Sequence, residues 1–256
     1  MKNEKIKILN IEIDSVTKKS ILDKNLSGVV FPTNVDVVMK LQKDREFFNI
    51  YNQADWVLCD SKILWLISKF LGAPIKEVIT GSDLFPEYCK KIASKKENNK
   101  RVFILGGSTQ EILQKSINNL DSIEEAFNYI VGGYCPEFGF ENKEEVIEII
   151  IDRINKSGAN VLAVGLGAPK QEKLIFKIRN RLPKIELFFA IGATVNFISK
   201  DLRRAPIWMQ KIGMEWFFRM CSDPSRLIKR YLIEDLPIFL LILKQKLGVY
   251  QNPFKR

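Results

Sequence analysis

Residues 161–174, "VLAVGLGAPKQEKL", decide how the fold is read. The small and branched apolar residues at 161–164 have the length and composition of a buried strand. Gly165 and Gly167 follow, then Pro169 and the polar run Lys170, Gln171 and Glu172. Glycine permits a sharp turn and a close approach of ligand to backbone, and proline suits a first helical turn. The segment predicts a strand, a glycine turn and a helix start whose free N–H groups can hold a phosphate or carboxylate. An ordinary strand-to-helix connection explains the glycines equally well. Gln171 and Glu172 favour a site, because both are expected to point into one crevice.

The same alternation recurs on either side. Candidate strands lie at 6–9, 28–31, 56–58, 101–105, 127–131, 161–164 and 187–191, and candidate helices near 35–52, 62–71, 83–96, 108–120, 142–156 and 169–181. This order predicts an α/β, Rossmann-like, mostly parallel sheet with helices on both faces. Ligands of such sheets bind beyond the carboxyl ends of the strands. After residue 197 strand signals stop, and helical stretches near 206–220 and 224–247 predict a C-terminal helical appendage. The division is therefore 1–197 for the α/β unit and 198–256 for the appendage.

Composition narrows the chemistry. The 256 residues include no histidine, which removes the commonest general base and metal ligand. The four cysteines, Cys59, Cys89, Cys135 and Cys221, are scattered without CxxC spacing, so zinc and redox pairs are disfavoured. Net charge is +10, and residues 200–256 hold 12 Lys/Arg against 5 Asp/Glu. A tail of that charge seeks phosphate or an anionic surface. The first residues lack a signal-peptide centre, and the apolar run at 236–243 is too short for a bilayer. The expected compartment is the cytoplasm.

Other strand ends carry polar residues. "VLCDSK" (57–62) sets Asp60 where it serves either as a proton acceptor or as a helix N-cap. "FPTNVD" places Thr33 and Asn34 at a second strand end, as caps or ligand contacts, and "ITGSDL" offers Ser82 or Asp83 as a cap. "FILGGST" brings Gly107 to a further strand end, before a helix that Ser108 or Thr109 can cap. It lacks the GxGxxG fingerprint of nicotinamide binders. No D-x-D triplet occurs, so arginines, lysines and helix N-termini are left to neutralise a leaving diphosphate. In the tail, Arg203, Arg204, Arg219, Arg226, Lys229 and Arg230 interleave with Trp208, Trp216, Phe217, Phe218 and Tyr231. Arginine forks bind phosphate, and aromatics beside basic groups suit a membrane interface. A packed amphipathic helix pair gives the same pattern.

Taken in order, "TN" (33–34), Asp60, "TGSDL" (80–84), "GG" (106–107), "GY" (133–134), "VGLGAPKQE" (164–172), "RAP" (204–206), "EWFFR" (215–219) and "DPSRLIKRY" (223–231) resemble the WecG/TagA/CpsF family of bacterial glycosyltransferases. The resemblance spans nearly the whole chain. It implies inverting transfer of a sugar, often of the N-acetylmannosamine type, from a UDP-sugar donor to a polyprenyl-diphosphate-linked acceptor. It further implies work at the inner face of the cell membrane, in teichoic acid, common-antigen or capsule synthesis, with no metal and no cofactor required. By the same resemblance the catalytic residues are Asp60, as the base, with Thr33 and Gln171 near the sugar and nucleotide, and Asn34, on the same strand end as Thr33, contacts substrate. Gly107, Gly165, Gly167, Pro169, Lys170, Glu172 and Arg204 are expected to contact substrate. Arg219, Arg226 and Arg230 cap the site and steady the diphosphate. Self-association, in balance with binding to an anionic membrane surface, is implied as well. The chain departs from the usual pattern where Ser61 and Lys62 follow Asp60 in place of glycine, at Val78 in place of arginine, and at "IGA" (191–193) in place of "VGG".

Two other readings use the same residues. A basic, aromatic tail also suits stacking on nucleic acid, although the glycosyltransferase reading expects no nucleic-acid partner. A Rossmann-like sheet also serves NAD-dependent oxidoreductases, against which the missing fingerprint counts.

Overall fold

The computed structural model describes residues 4–24, 26–95, 99–122 and 129–255; the side chains of Lys95, Lys211 and Arg226 also lie outside the description. In chain order the elements are β1 (Lys5–Ile8), β2 (Ile11–Asp14), α1 (Lys18–Asp23), β3 (Gly28–Thr33), α2 (Val35–Lys40), α3 (Arg45–Tyr51), β4 (Trp56–Cys59) and α4 (Lys62–Phe70). There follow α5 (Gly81–Lys95), β5 (Val102–Gly106), α6 (Gln110–Asp121), β6 (Ile130–Tyr134), α7 (Glu144–Ser157), β7 (Val161–Gly165), α8 (Lys170–Ile178), β8 (Leu187–Ala190) and α9 (Thr194–Ile198). The tail holds α10 (Ile207–Ile212), α11 (Glu215–Ser222), α12 (Pro224–Lys229), a wide turn at Arg230–Glu234, and α13 (Ile238–Lys246).

Six strands form one parallel sheet in the order β4-β3-β8-β7-β5-β6. Successive side chains of a strand face opposite sides, and here both sides are dry. Val29 and Phe31 of β3, Leu162 and Val164 of β7, and Phe188 of β8 enter one core. Their neighbours Val30, Val161, Ala163, Leu187 and Phe189 enter the other. That is why these strands read as continuous apolar runs and not as alternating ones.

Several expectations are corrected. The strand expected at 6–9 does not join the parallel sheet; β1 pairs antiparallel with β2, which the sequence reading missed. The hairpin buries Ile6, Ile8, Ile11 and Ile13, and the Asp14 carboxylate accepts a hydrogen bond from Val57 N on the edge strand β4, 2.9 Å. The helix expected over 35–52 is two helices, because Asp44 caps a new start by accepting from Phe47 N. The strand expected at 127–131 falls partly on residues 127–128, outside the described residues; β6 starts at Ile130.

The C-terminal helices divide into two parts. Helix α13 belongs to the core: Ile238 and Ile242 are buried beneath it. Gln245 accepts from Leu9 N (2.7 Å) and donates to Lys7 O (3.0 Å), tying the last helix to the first hairpin. Tyr250 donates to Gln42 Oε1 at 2.7 Å. Each buried isoleucine contributes about 1.5–3 kcal/mol. Helices α10–α12 instead lie over the sheet's carboxyl end and leave many apolar side chains exposed. No helix of the described residues is long and apolar enough to cross a membrane.

Candidate active site

The carboxyl ends of β3, β4, β7 and β8 open beneath the tail into a crevice of about 1390 Å³. That exceeds the roughly 300–1,000 Å³ typical of a single small ligand. Asn34, Asp60, Gly167, Gln171, Arg204, Arg219 and Arg230 line it.

Asp60 follows β4 directly, and its N–H donates to Thr33 O at 2.8 Å. It is not the helix cap: Ser61 caps α4, its hydroxyl accepting from Leu64 N. Released from capping, the Asp60 carboxyl sits at the crevice floor, hydrogen-bonded by the Gly81 N–H. Burial pushes it up to about 7; the charge of Arg219 opposes the rise and that of Glu215 adds to it. A carboxyl in that range is a competent base near neutral pH.

Arg219, on α11, is held by Glu215 at 2.6 Å and lies 5.0 Å from the Phe197 ring. Arg204 reaches Asp83 at 2.6 Å. Asp83 is not the α5 cap; Thr80 is, accepting from Asp83 N at 3.1 Å. Burial alone would raise Asp83, but hydrogen bonds from Arg204 and Thr80 outweigh it and hold the carboxyl below its usual range. Arg230 lies 3.3 Å from Asp36 and 3.8 Å from Asp235, whose carboxyl burial raises to about 6. The Arg226 side chain is outside the described residues. Sequence reasoning missed these carboxylate partners, since nothing local pairs Asp36 with Arg230 or Asp83 with Arg204.

Residues of the glycine turn part company. Gln171 is buried at the crevice wall, accepts from Gly192 N at 3.0 Å and donates to Glu172 Oε1 at 2.8 Å. Glu172 does not reach the crevice: it is fully buried behind Gln171, and burial pushes its carboxyl up to about 7. Gly167, at φ 77°, lines the crevice in a conformation that favours glycine. Gly165 serves packing, since a β-carbon there would stand 2.8 Å from Gly192 O. Pro169 and Lys170 face a separate surface groove with Glu141, to which Lys170 is paired. Gly107 lies off the crevice, its N–H on Gly165 O at 3.4 Å. Thr33 is fully buried below the floor, its hydroxyl bonded to Phe31 O (3.2 Å) and Tyr51 Oη (3.3 Å). Asn34 combines both of its expected roles, accepting from Val37 N to cap α2 while lining the crevice.

Residues 6–252 match the model of the glycosyl transferase WecG/TagA/CpsF family. The chain belongs to that family. It is thus a glycosyltransferase, as the sequence motifs implied. Among curated relatives, it is 26% identical over 242 residues to the N-acetylglucosaminyldiphosphoundecaprenol N-acetyl-beta-D-mannosaminyltransferase of Bacillus subtilis (strain 168), covering 93% of this chain and 89% of that protein. The protein of the same name from Bacillus spizizenii (strain ATCC 23059 / NRRL B-14472 / W23) is 26% identical over 206 residues, covering 80% and 75%. Among this family member's described residues, no three or more Cys, Asp or Glu side chains gather as a metal site would require.

Proposed function

We propose that the protein transfers an N-acetylmannosamine-type sugar, or a related hexose, from a UDP-sugar to a polyprenyl-diphosphate-linked sugar in teichoic acid or other surface-polysaccharide synthesis. The observation that carries this is Asp60, a carboxyl freed from capping at the floor of a crevice walled by three arginines. In the reaction Asp60 takes the proton of the acceptor hydroxyl. That oxygen bonds to the anomeric carbon while the carbon's bond to the diphosphate oxygen breaks, and UDP departs with the electron pair. Attack from the face opposite UDP inverts the centre. Gln171 and the Gly192 turn form the wall offered to the donor, and the tail arginines approach the diphosphate. The chemistry draws on no metal or cofactor.

The relatives' names support the acceptor class and the mannosamine-type sugar. The rim supports a lipid acceptor: Ile207, Leu236 and Phe239 line the crevice and are each more than half exposed. Such a rim beside a basic tail suits peripheral attachment to an anionic membrane, where each Lys or Arg contributes about 1 kcal/mol. The test is UDP release from a panel of UDP-sugars with a synthetic lipid-diphosphate-GlcNAc acceptor. Acceptor-dependent release from one donor is expected. Absence of acceptor-dependent release from every donor refutes the proposal.

A further inference from the structure

Resting on that transfer reading, we propose that Lys62 is a binding residue for a substrate diphosphate. Six cationic side chains among the described residues line the crevice: Lys40, Lys62, Lys76, Arg204, Arg219 and Arg230. Five of them already face a carboxylate: Lys40 with Asp36, Lys76 with Glu4, Arg204 with Asp83, Arg219 with Glu215, and Arg230 with Asp36. Among the described residues Lys62 has no carboxylate partner; its ammonium lies 3.7 Å from the Trp65 ring centroid.

The placement of Lys62 is locally unfavourable. It is the first residue of α4, after the Ser61 cap, in a first turn with no acidic residue. The positive end of a helix dipole repels a cation there. The lysine ammonium and the unsatisfied N–H groups of α4 therefore bring positive charge to one part of the crevice, two residues from Asp60. The tail packs closely on the stem of this side chain at Gly213, the left-handed residue that ends α10. A β-carbon on Gly213 would stand 2.8 Å from Lys62 Cγ, so the α10–α11 joint leaves room for the lysine stem.

Exchange energetics single out Lys62 from the arginines. An arginine that turns to a phosphate abandons a carboxylate in a partly buried crevice, and the cost of that unpaired charge cancels much of the gain. Lys62 gives up only an aromatic contact, so nearly all of its new charge pairing appears as binding. The diphosphate can be that of the nucleotide donor or that of the lipid-linked acceptor.

The test compares wild type, Lys62→Met and Lys62→Arg in the full chain. Methionine keeps an apolar stem against Gly213 while removing the charge. Calorimetry measures binding of UDP and of inorganic pyrophosphate, and steady-state kinetics measure KM for each substrate. Lys62→Met is expected to raise the dissociation constant or KM of the diphosphate ligand roughly tenfold, with a smaller change in kcat, and Lys62→Arg to recover most of the loss. Weaker UDP binding together with a raised donor KM assigns Lys62 to the nucleotide. A raised acceptor KM with unchanged UDP binding assigns it to the lipid diphosphate. UDP affinity and both KM values within about twofold of wild type in Lys62→Met overturn the proposal, as does a change in kcat alone. A wild-type protein that binds no UDP and turns over no donor removes the transfer reading itself, a result distinct from those.

Discussion

Replacing Asp60 with asparagine moves activity and stability in opposite directions. The wild-type carboxyl ionises at about 7, raised chiefly by burial, against 3.8 for an ordinary aspartate. The unfolded chain binds its proton with the ordinary value, so between about pH 4 and 7 the native state holds the proton more tightly. Wild-type stability from this group is therefore complete below pH 4 and is lost as pH rises to 7. At about 1.4 kcal/mol per pH unit the span of about three units corresponds to roughly 4 kcal/mol. Water reaching the crevice floor screens part of it, which leaves about 2 kcal/mol. Asparagine carries no charge and avoids the loss. The expected result is a variant matched to wild type near pH 4 and about 2 kcal/mol more stable at pH 8, with the gap opening between those limits. Acceptor-dependent UDP release falls about 10²–10⁴-fold, because the base is gone. Urea unfolding at several pH values and the UDP-release assay read the two effects. A stability gap that does not widen with pH refutes the burial argument, and a variant retaining a tenth or more of wild-type turnover refutes Asp60 as base.

Other outcomes follow from the same geometry. In wild type the rate rises with pH toward a plateau above about 7 as Asp60 ionises; Arg219→Ala removes the charge that lowers the Asp60 carboxyl, so the midpoint of the rise moves to higher pH. An unmoved midpoint contradicts the coupling. Thr33→Val costs about 1 kcal/mol of unfolding free energy through its lost hydrogen bonds and leaves kcat within about twofold of wild type; a large fall in kcat would return Thr33 to the reaction. A chain ending at Leu236 loses Ile238 and Ile242 from the core, at about 2–5 kcal/mol each, against a total stability of roughly 5–15 kcal/mol. It is expected to lose cooperative thermal unfolding, and a melt like that of the full chain would show α13 to be dispensable. Trp208 and Leu240 are exposed and do not line the crevice. Changing both to serine is expected to reduce co-sedimentation with anionic vesicles at least tenfold while sparing turnover of a short-chain, water-soluble acceptor. Unchanged vesicle binding would place the membrane contact elsewhere.

Much of the local architecture could be read from the chain alone. A strand covered on both faces must be a continuous apolar run, so 28–31, 56–58, 161–164 and 187–191 were legible as strands. Motifs spread from Thr33 to Tyr231 placed the chain in its family. Local sequence did not settle which polar residues at the strand ends reach the crevice. Asp60 and Ser61 compete for one cap, and the hydroxyl of Ser61 takes it. Thr33 and Asn34 are adjacent, yet one points beneath the floor and the other lines it. Gln171 and Lys170 are likewise neighbours on different surfaces. The tertiary structure decided these matters, together with the pairing of Asp83 with Arg204, of Asp36 with Arg230, and of α13 with the first hairpin. The reason is physical. Periodicity and turn chemistry act over a few residues, whereas the fold brings together groups more than 100 positions apart, such as Asp83 and Arg204, and sets the burial that tunes their charges.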